Sequence, residues 1–478
     1  MKKVLNKFSK VACFFLILNV LLIGLLIFNI FKLNILPMKY LIGIIIILLL
    51  LLILITIFIQ KKCKKKFKIV GYIISSILII VSLLGVYFLN TTNNFLNNAF
   101  KEKKNTYTST YYVLSLDHYE NIDELNDNLI GYYINVPNIN NALDKLKEKI
   151  TFETKTYENM FDSFNELNNT TIKGNLIEKN LYDSLLEASQ DIKNANYKIL
   201  YSFDIEVEEE VIKKEIYGNY VNIYVGGPDF TNTNYDFNMI VTINKDTHKI
   251  LLTSTPRDYY IEVVGKGMND LLGYAGVWGI NTSIASLEKL YNIDINNYVK
   301  IDTNSLIGLV DVLNGVEFCS DISYTTTHAL VAGTYDDTKG LKLTVKKGCN
   351  TYNGIEILTI ARERKAYADG DRQRQKNCQQ IMINIFNKMA SFNSIAKYSE
   401  VLNAVSDLYT SNVESSLITE IAKSIISGDD WTFDTQSVSG TDSRGMVHLN
   451  TVEDYVMRPN QESVNQAIAK INGVMAGV

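Results

Sequence analysis

Three apolar runs near the N-terminus, at roughly residues 11–31, 40–60 and 69–89, constrain this chain more than any other feature. Each is close to the ~20 residues needed to cross a ~30 Å hydrocarbon core. Residues 41–59 contain no charged side chain, which argues against a buried helix of a soluble domain. A cleaved signal peptide fits badly: the first run is too long, no small-residue cleavage site follows it, and two more runs come after it. The expectation is a membrane domain of three transmembrane helices over residues 1–90, which excludes a fully soluble cytosolic enzyme.

Charge divides the chain at the same place. Residues 1–90 hold twelve Lys and no Arg, Asp or Glu, whereas the remainder holds 35 basic and 51 acidic side chains. An acidic globular part argues against nucleic acid as a partner, because that needs a basic face. Lys placement sets the expected orientation. Four Lys lie in the N-terminal tail and six between the second and third runs, against Lys32 and Lys39 in the loop between the first two. The N-terminus is therefore expected in the cytoplasm and everything after about residue 90 outside it. Lys101, Lys103 and Lys104 pull the other way, but they are fewer and Glu102 sits among them.

Residues 91–215 read as a small α+β accessory domain. Residues 111–116 look like a strand, and 141–149 and 178–195 look helical by apolar spacing. The acidic stretch at 206–210 either marks the end of this domain or is a solvated strand edge. From about residue 216 to 478, strands and helices alternate. Residues 221–225, 239–244, 250–255, 298–301 and 315–318 read as strands; 282–291, 306–313, 355–360, 378–389 and 462–471 read as helices. Residues 245–249 close a hairpin. Such alternation gives an α/β/α domain with a central mixed sheet flanked by helices. Cys319 and Cys349 are either a disulfide pair or two unpaired, partly buried thiols.

The four histidines have no second His or Cys at a metal-ligand spacing, so a zinc site or a Ser-His-Asp triad is not expected. Arginine says more. Only seven of 47 basic residues are Arg, yet Arg362, Arg364, Arg372 and Arg374 fall within residues 361–374, and Arg257 lies in Thr255-Pro-Arg-Asp258. The planar guanidinium grips phosphate or carboxylate in two-pronged fashion, which Lys does not. The cluster is either an anion site or a salt-bridged surface helix, since Glu363, Asp369 and Asp371 are interleaved. Asp229, after a Gly-Gly-Pro turn, and Asp236, before a strand, are loop carboxylates suited to Mg²⁺ held together with ligand phosphates. Arginine forks and a metal-binding Asp pair together suit a pyrophosphate.

The ordered series Asp236-Phe-Asn-Met-Ile-Val-Thr-Ile-Asn244, Ile250-Leu-Leu-Thr-Ser-Thr-Pro-Arg-Asp258, Tyr274-Ala-Gly276, Leu290-Tyr-Asn-Ile-Asp-Ile-Asn-Asn-Tyr-Val299, Leu309-Val-Asp-Val-Leu-Asn-Gly-Val316, Ala361-Arg-Glu-Arg364 and Asp369-Gly-Asp-Arg-Gln-Arg374 resembles the LytR-CpsA-Psr family. The three spans and the accessory domain resemble its capsule-polysaccharide branch. The resemblance implies a membrane-anchored phosphotransferase that moves an anionic glycopolymer, of capsule or teichoic acid type, from undecaprenyl pyrophosphate onto peptidoglycan. It implies Mg²⁺ on Asp229 and Asp236. It also implies pyrophosphate binding by Arg257, Arg362, Arg364 and Arg374 with Gln379, and catalytic roles for Arg257 and Arg362. Asp258, a carboxylate of the same group, is a candidate base. Departures are Asn234 in place of an Arg, Cys378 in place of a Gln, Leu271 in place of a Lys, and a short loop from Asp229 to Asp236. The alternatives are a hydrolase of lipid pyrophosphates and a non-catalytic binding or regulatory protein, which Asn234 and Cys378 would favour.

Overall fold

A computed structural model describes residues 8–34, 36–60, 62–99, 105–136, 138–195, 197–209, 218–228, 234–331, 340–390, 410–447 and 452–478. The chain is an α/β protein behind three apolar helices, as expected. These are α1 (Lys10–Leu33), α2 (Met38–Phe58) and α3 (Lys65–Ala99). All three are long and apolar enough to cross a membrane, and α3 runs ten residues past the expected end at 89. Ser9 caps α1 by accepting from the Ala12 amide at 3.1 Å, and Asn34 ends it in a left-handed conformation, φ 51°. Asn19 of α1 donates to Ser75 of α3 at 2.6 Å, a buried polar link of the kind that fixes helix pairs in lipid.

The next elements are β1 (Asn105–Ser115), β2 (Asn128–Tyr133), α4 (Ile139–Lys147), β3 (Phe152–Tyr157), α5 (Met160–Asn168), β4 (Gly174–Glu178), α6 (Lys179–Ala188), α7 (Gln190–Asn194) and β5 (Lys198–Glu209). The strands form one sheet in the order β3-β2-β4-β1-β5. The helix expected over 178–195 is two helices, because Ser189 leaves the helical conformation and caps α7. Residues 206–209 of the acidic stretch lie on β5, an edge strand of the sheet. Exposed Glu206 and Glu208 there discourage pairing with other strands. The core of this sheet includes Tyr111, Leu125, Ile130 and Leu146, and it also takes in Tyr274 and Val277 from beyond residue 216.

The second sheet uses β6 (Tyr220–Pro228), β7 (Tyr235–Asn244), β8 (Lys249–Ser254), β11 (Asn297–Lys300), β16 (Thr410–Ser411) and β17 (Thr432–Ser437). Between them come β9 (Tyr260–Val263), β10 (Met268–Leu271), α8 (Ile280–Tyr291), α9 (Thr303–Val312), β12 (Val316–Ser320), β13 (Tyr324–Ala329), β14 (Lys342–Val345), β15 (Gly348–Tyr352), α10 (Gly354–Arg362), α11 (Asp371–Ala390) and α12 (Ser415–Ser427). The chain closes with β18 (Gly440–Val447), β19 (Val452–Pro459) and α13 (Gln461–Ala476). By compactness α12 groups with the membrane helices, and both sheets fall in the other unit.

The second sheet has the order β16-β11-β6-β7-β8-β17. Strand β6 pairs antiparallel with β7, and β7 with β8, while β11 runs parallel to β6 and β17 parallel to β8. The C-terminal ends of β6, β8, β11 and β17 therefore meet the N-terminal end of β7 along one border. Tyr224, Tyr291, Tyr298, Ile240 and Leu251 are buried in its core with Val464, Ala467 and Ile471 of α13. Each phenol there needs a partner. Tyr224 donates to Asn238 at 2.7 Å, and the Tyr291 and Thr255 hydroxyls are 2.7 Å apart. Cys319 and Cys349 are a disulfide, placed directly opposite each other across β12 and β15.

Candidate functional site

The border of the central sheet collects the residues that the charge pattern singled out. Asp236 is the second residue of β7, and Arg257 and Asp258 follow β8 through Pro256. Arg257 forms an ion pair with the Asp236 carboxylate, and its Nε lies 3.3 Å from Asp258 Oδ1. Gly273 leaves room for this: a Cβ there would come within 3.1 Å of the Arg257 Cβ.

The other half arrives from α10 and α11. Asn353 and Glu356 form a reciprocal cap that starts α10, and Gly354 has no space for a Cβ against the Ile307 carbonyl. These features seat α10 closely on α9. After α10, the chain turns through Gly370, φ 51°, into α11. Asp371, the first residue of α11, accepts from Arg374 Nε at 2.8 Å and from Gln375 at 3.0 Å, and it lies 3.5 Å from Arg364 Nε. Arg374 Nη2 donates to the main-chain oxygen of Asp236 at 3.0 Å. Arg257, Arg364 and Arg374 thus converge on Asp236, Asp258 and Asp371, and the positive end of the α11 dipole lies beside them.

The three carboxylates are not equivalent. Burial alone would push the Asp236 carboxyl up, but Arg257, Arg374 and Arg364 outweigh it and hold the group below its usual range. Asp371 is likewise held low, with Arg374 and Arg364 overcoming its burial. At Asp258 burial wins, and the neighbouring Asp371 adds to it, so this carboxyl is raised. Burial lowers Arg364, and the like charges of Arg257 and Arg374 lower it further. A guanidinium with two like neighbours is one that a bound anion would stabilise.

Arg362 is the last residue of α10 and is half-buried. Asp229, with most of the loop to Asp236, lies outside the described residues. Gln379 is 3% exposed, and its amide donates to the Gln436 carbonyl at 2.8 Å, the Leu252 carbonyl at 3.3 Å and the Ser437 hydroxyl at 3.3 Å. Those donors are engaged in pinning α11 to the ends of β8 and β17. Cys378 is a packing residue: burial pushes its thiol up to about 11, and Sγ lies 3.6 Å from the Ala361 carbonyl. Glu363 is wholly buried and accepts from the amides of Thr327 at 2.5 Å and Ala366 at 3.0 Å.

Two residues that sequence reasoning did not place at the site border it. Asp371 organises both Arg364 and Arg374; its signal was the carboxylate at a helix start among arginines. Lys300 is 8% exposed at the end of β11, its ammonium 6.0 Å from the centre of the Tyr235 ring. A buried lysine is rare, but one lysine in a lysine-rich chain gives no sequence signal.

Fold and site define a membrane-associated α/β protein with an arginine–aspartate cluster at the C-terminal border of its sheet, the usual ligand position in α/β sheets. The family model described as the LytR_cpsA_psr family matches residues 182–471, and the chain belongs to that family. The chain is 29% identical over 186 residues to the polyisoprenyl-teichoic acid–peptidoglycan teichoic acid transferase TagU of Bacillus mycoides, covering 39% of this chain and 57% of that protein. It is 28% identical over 190 residues to biofilm regulatory protein A of Streptococcus mutans, covering 38% of this chain and 45% of that one. The crystal structure of B. subtilis TagV is similar at 21% identity and a TM-score of 0.44, covering 54% of this chain and 97% of that one. The chain thus spans little more than half the length of the transferase it matches.

Proposed function

We propose that this protein transfers an anionic glycopolymer from undecaprenyl pyrophosphate to peptidoglycan, with residues after about 90 outside the cytoplasmic membrane. The single observation that carries the reading is the convergence of Arg257, Arg364 and Arg374 on Asp236 at the end of the central sheet. In a globular part with more acidic than basic residues, such a cluster supports an anionic ligand. The name of the TagU relative gives the same substrate class for that protein.

In this reading a hydroxyl of the acceptor sugar attacks the phosphorus attached to the polymer. A new acceptor O–P bond forms, the bridging P–O bond breaks, and undecaprenyl phosphate leaves. Arg257, Arg364 and Arg374 neutralise charge on the phosphoryl oxygens, each contributing about 3–4 kcal/mol as a preorganised donor does. The raised carboxyl of Asp258 is the candidate to take the hydroxyl proton. The guanidiniums are already offset by Asp236, Asp258 and Asp371, so binding a pyrophosphate calls for further positive charge. The oxygen donors fit Mg²⁺: Asp236 is ionised and its side chain 37% exposed, and Asp229 is the expected second ligand. Bound there, Mg²⁺ would neutralise phosphate oxygens.

The test is to incubate full-length protein with a lipid-pyrophosphate-linked polymer, peptidoglycan and Mg²⁺. Transfer gives a phosphodiester-linked polymer. Free polymer phosphate would mean hydrolysis instead, and tight binding without turnover would mean a binding or regulatory protein.

A further inference from the structure

The hairpin β18–β19 is joined to the site border by its base. The Met457 amide donates to the Asp258 carbonyl at 2.8 Å, Arg372 donates to the Gly440 carbonyl at 3.3 Å, and the Tyr259 hydroxyl donates to the Ser439 carbonyl at 2.5 Å. Pairing places Asp442 opposite Met457, Arg444 opposite Tyr455 and Met446 opposite Glu453, all on one face. Met457 is buried at the base of that face. Two residues on, at ~7 Å along the strand, the same face opens to solvent at Tyr455, which is 42% exposed.

The opposite face makes the hairpin a rigid support. Val456 is wholly buried, and the Arg458 guanidinium lies 5.3 Å from the Tyr260 ring centre while donating to the Ser443 hydroxyl at 3.1 Å and the Arg444 carbonyl at 3.2 Å. On the solvent face the Tyr455 hydroxyl donates to Asp442 at 2.9 Å, and Arg444 donates to the Glu453 carbonyl at 2.8 Å. The result is an exposed aromatic ring whose hydroxyl is held by the Asp442 carboxylate, with Arg444 paired opposite it, two residues along the strand from Met457, whose amide bonds the Asp258 carbonyl.

We propose that this face binds a pyranose ring of the acceptor glycan, an inference that rests on the transfer reading above. The C–H face of a sugar packs on an aromatic face, and adjacent hydroxyls pair with a carboxylate and a guanidinium. Charge selects the acceptor over the donor. Asp442 and Glu453 outnumber Arg444 on this face, so it repels an anionic polymer and accepts an uncharged sugar. Continuity with Asp258 through Met457 puts the bound strand beside the candidate base.

The test measures sedimentation of full-length, detergent-solubilised protein with insoluble peptidoglycan sacculi, and in parallel its affinity for farnesyl pyrophosphate. Tyr455→Ala is expected to weaken retention on sacculi about tenfold. Tyr455→Phe and Tyr455→Trp, which keep a ring, should stay near wild type, and all variants should bind farnesyl pyrophosphate equally. Unchanged retention of Tyr455→Ala, equal weakness of the Trp variant, or a loss shared with farnesyl pyrophosphate overturns the proposal. Wild-type protein that binds sacculi through Tyr455 but neither binds farnesyl pyrophosphate nor transfers polymer would instead overturn the transfer reading.

Discussion

Arg374 donates from Nη2 to the main-chain oxygen of Asp236 at 3.0 Å, across 138 residues of sequence. The bond joins the start of β7 to the first turn of α11. Through Asp371 it also ties Arg364 to the same point, so the site is one unit rather than a row of separate surface charges.

Replacing Arg257 by Lys keeps the charge but loses the fork that spans Asp236 and Asp258. Steady-state transfer assays should show kcat lower by about 10²–10³-fold. The thermal midpoint should move only a few degrees, because the side chain is 33% exposed. Activity near wild type in Arg257→Lys would mean that point charge suffices.

The pH profile distinguishes the carboxylates. Asp258 is raised, so as pH falls through its pKa it becomes protonated and cannot accept a proton. The acid limb of kcat/KM should lie above the ordinary carboxylate value of about 4. Asp258→Asn should remove that limb along with most of the rate; a limb that persists in this variant excludes Asp258 as the base. For stability the sign at Asp371 differs. Its folded pKa is depressed, so its contribution is present above the unfolded value and disappears as pH falls through the folded one. Acid-unfolding curves of Asp371→Asn should be correspondingly flatter.

The Cys319–Cys349 disulfide closes a loop with a sequence separation of 30. Chain entropy alone assigns it about 3–4 kcal/mol. The Cys319 amide also donates to Gln380 of α11 at 2.7 Å, so loosening β12 should reach the helix that carries Arg374. Reductant should lower the unfolding midpoint of the wild type and leave a Cys319→Ser/Cys349→Ser variant unchanged.

Gln379→Ala removes the amide whose two N–H groups reach the Leu252 and Gln436 carbonyls and the Ser437 hydroxyl, tying α11 to the sheet. Stability should fall by about 1–3 kcal/mol, read as a shift in the denaturation midpoint. Below that midpoint, affinity for an isoprenyl pyrophosphate should hold. A selective loss of affinity with unchanged stability would assign Gln379 to pyrophosphate binding instead.

The β6–β7–β8 core was legible because its apolar runs are punctuated by turn residues, and the arginines stood out because the chain otherwise uses lysine. The edge strands were not. Thr432–Ser437 is polar at most positions and joins β8 from far along the chain, so no local period announces it. Gln379 was legible as a position, but its hold on the Leu252 and Gln436 carbonyls was not, because only the folded sheet brings them near. Asp371 read only as one of the acids interleaved with the arginines, because the apolar spacing that announces the helix begins at 378 whereas the helix itself starts at Asp371. Lys300 acquires meaning only through burial beside Tyr235.

The central claim, that Arg257, Arg364 and Arg374 act together on a pyrophosphate, is tested most directly by titrating full-length protein with farnesyl pyrophosphate and farnesyl monophosphate in the presence of Mg²⁺. The account predicts a clear preference for the pyrophosphate, and a loss of that preference in Arg364→Ala while the protein remains folded. Equal affinity for the two ligands in the wild type, or an undiminished preference in Arg364→Ala, would contradict it.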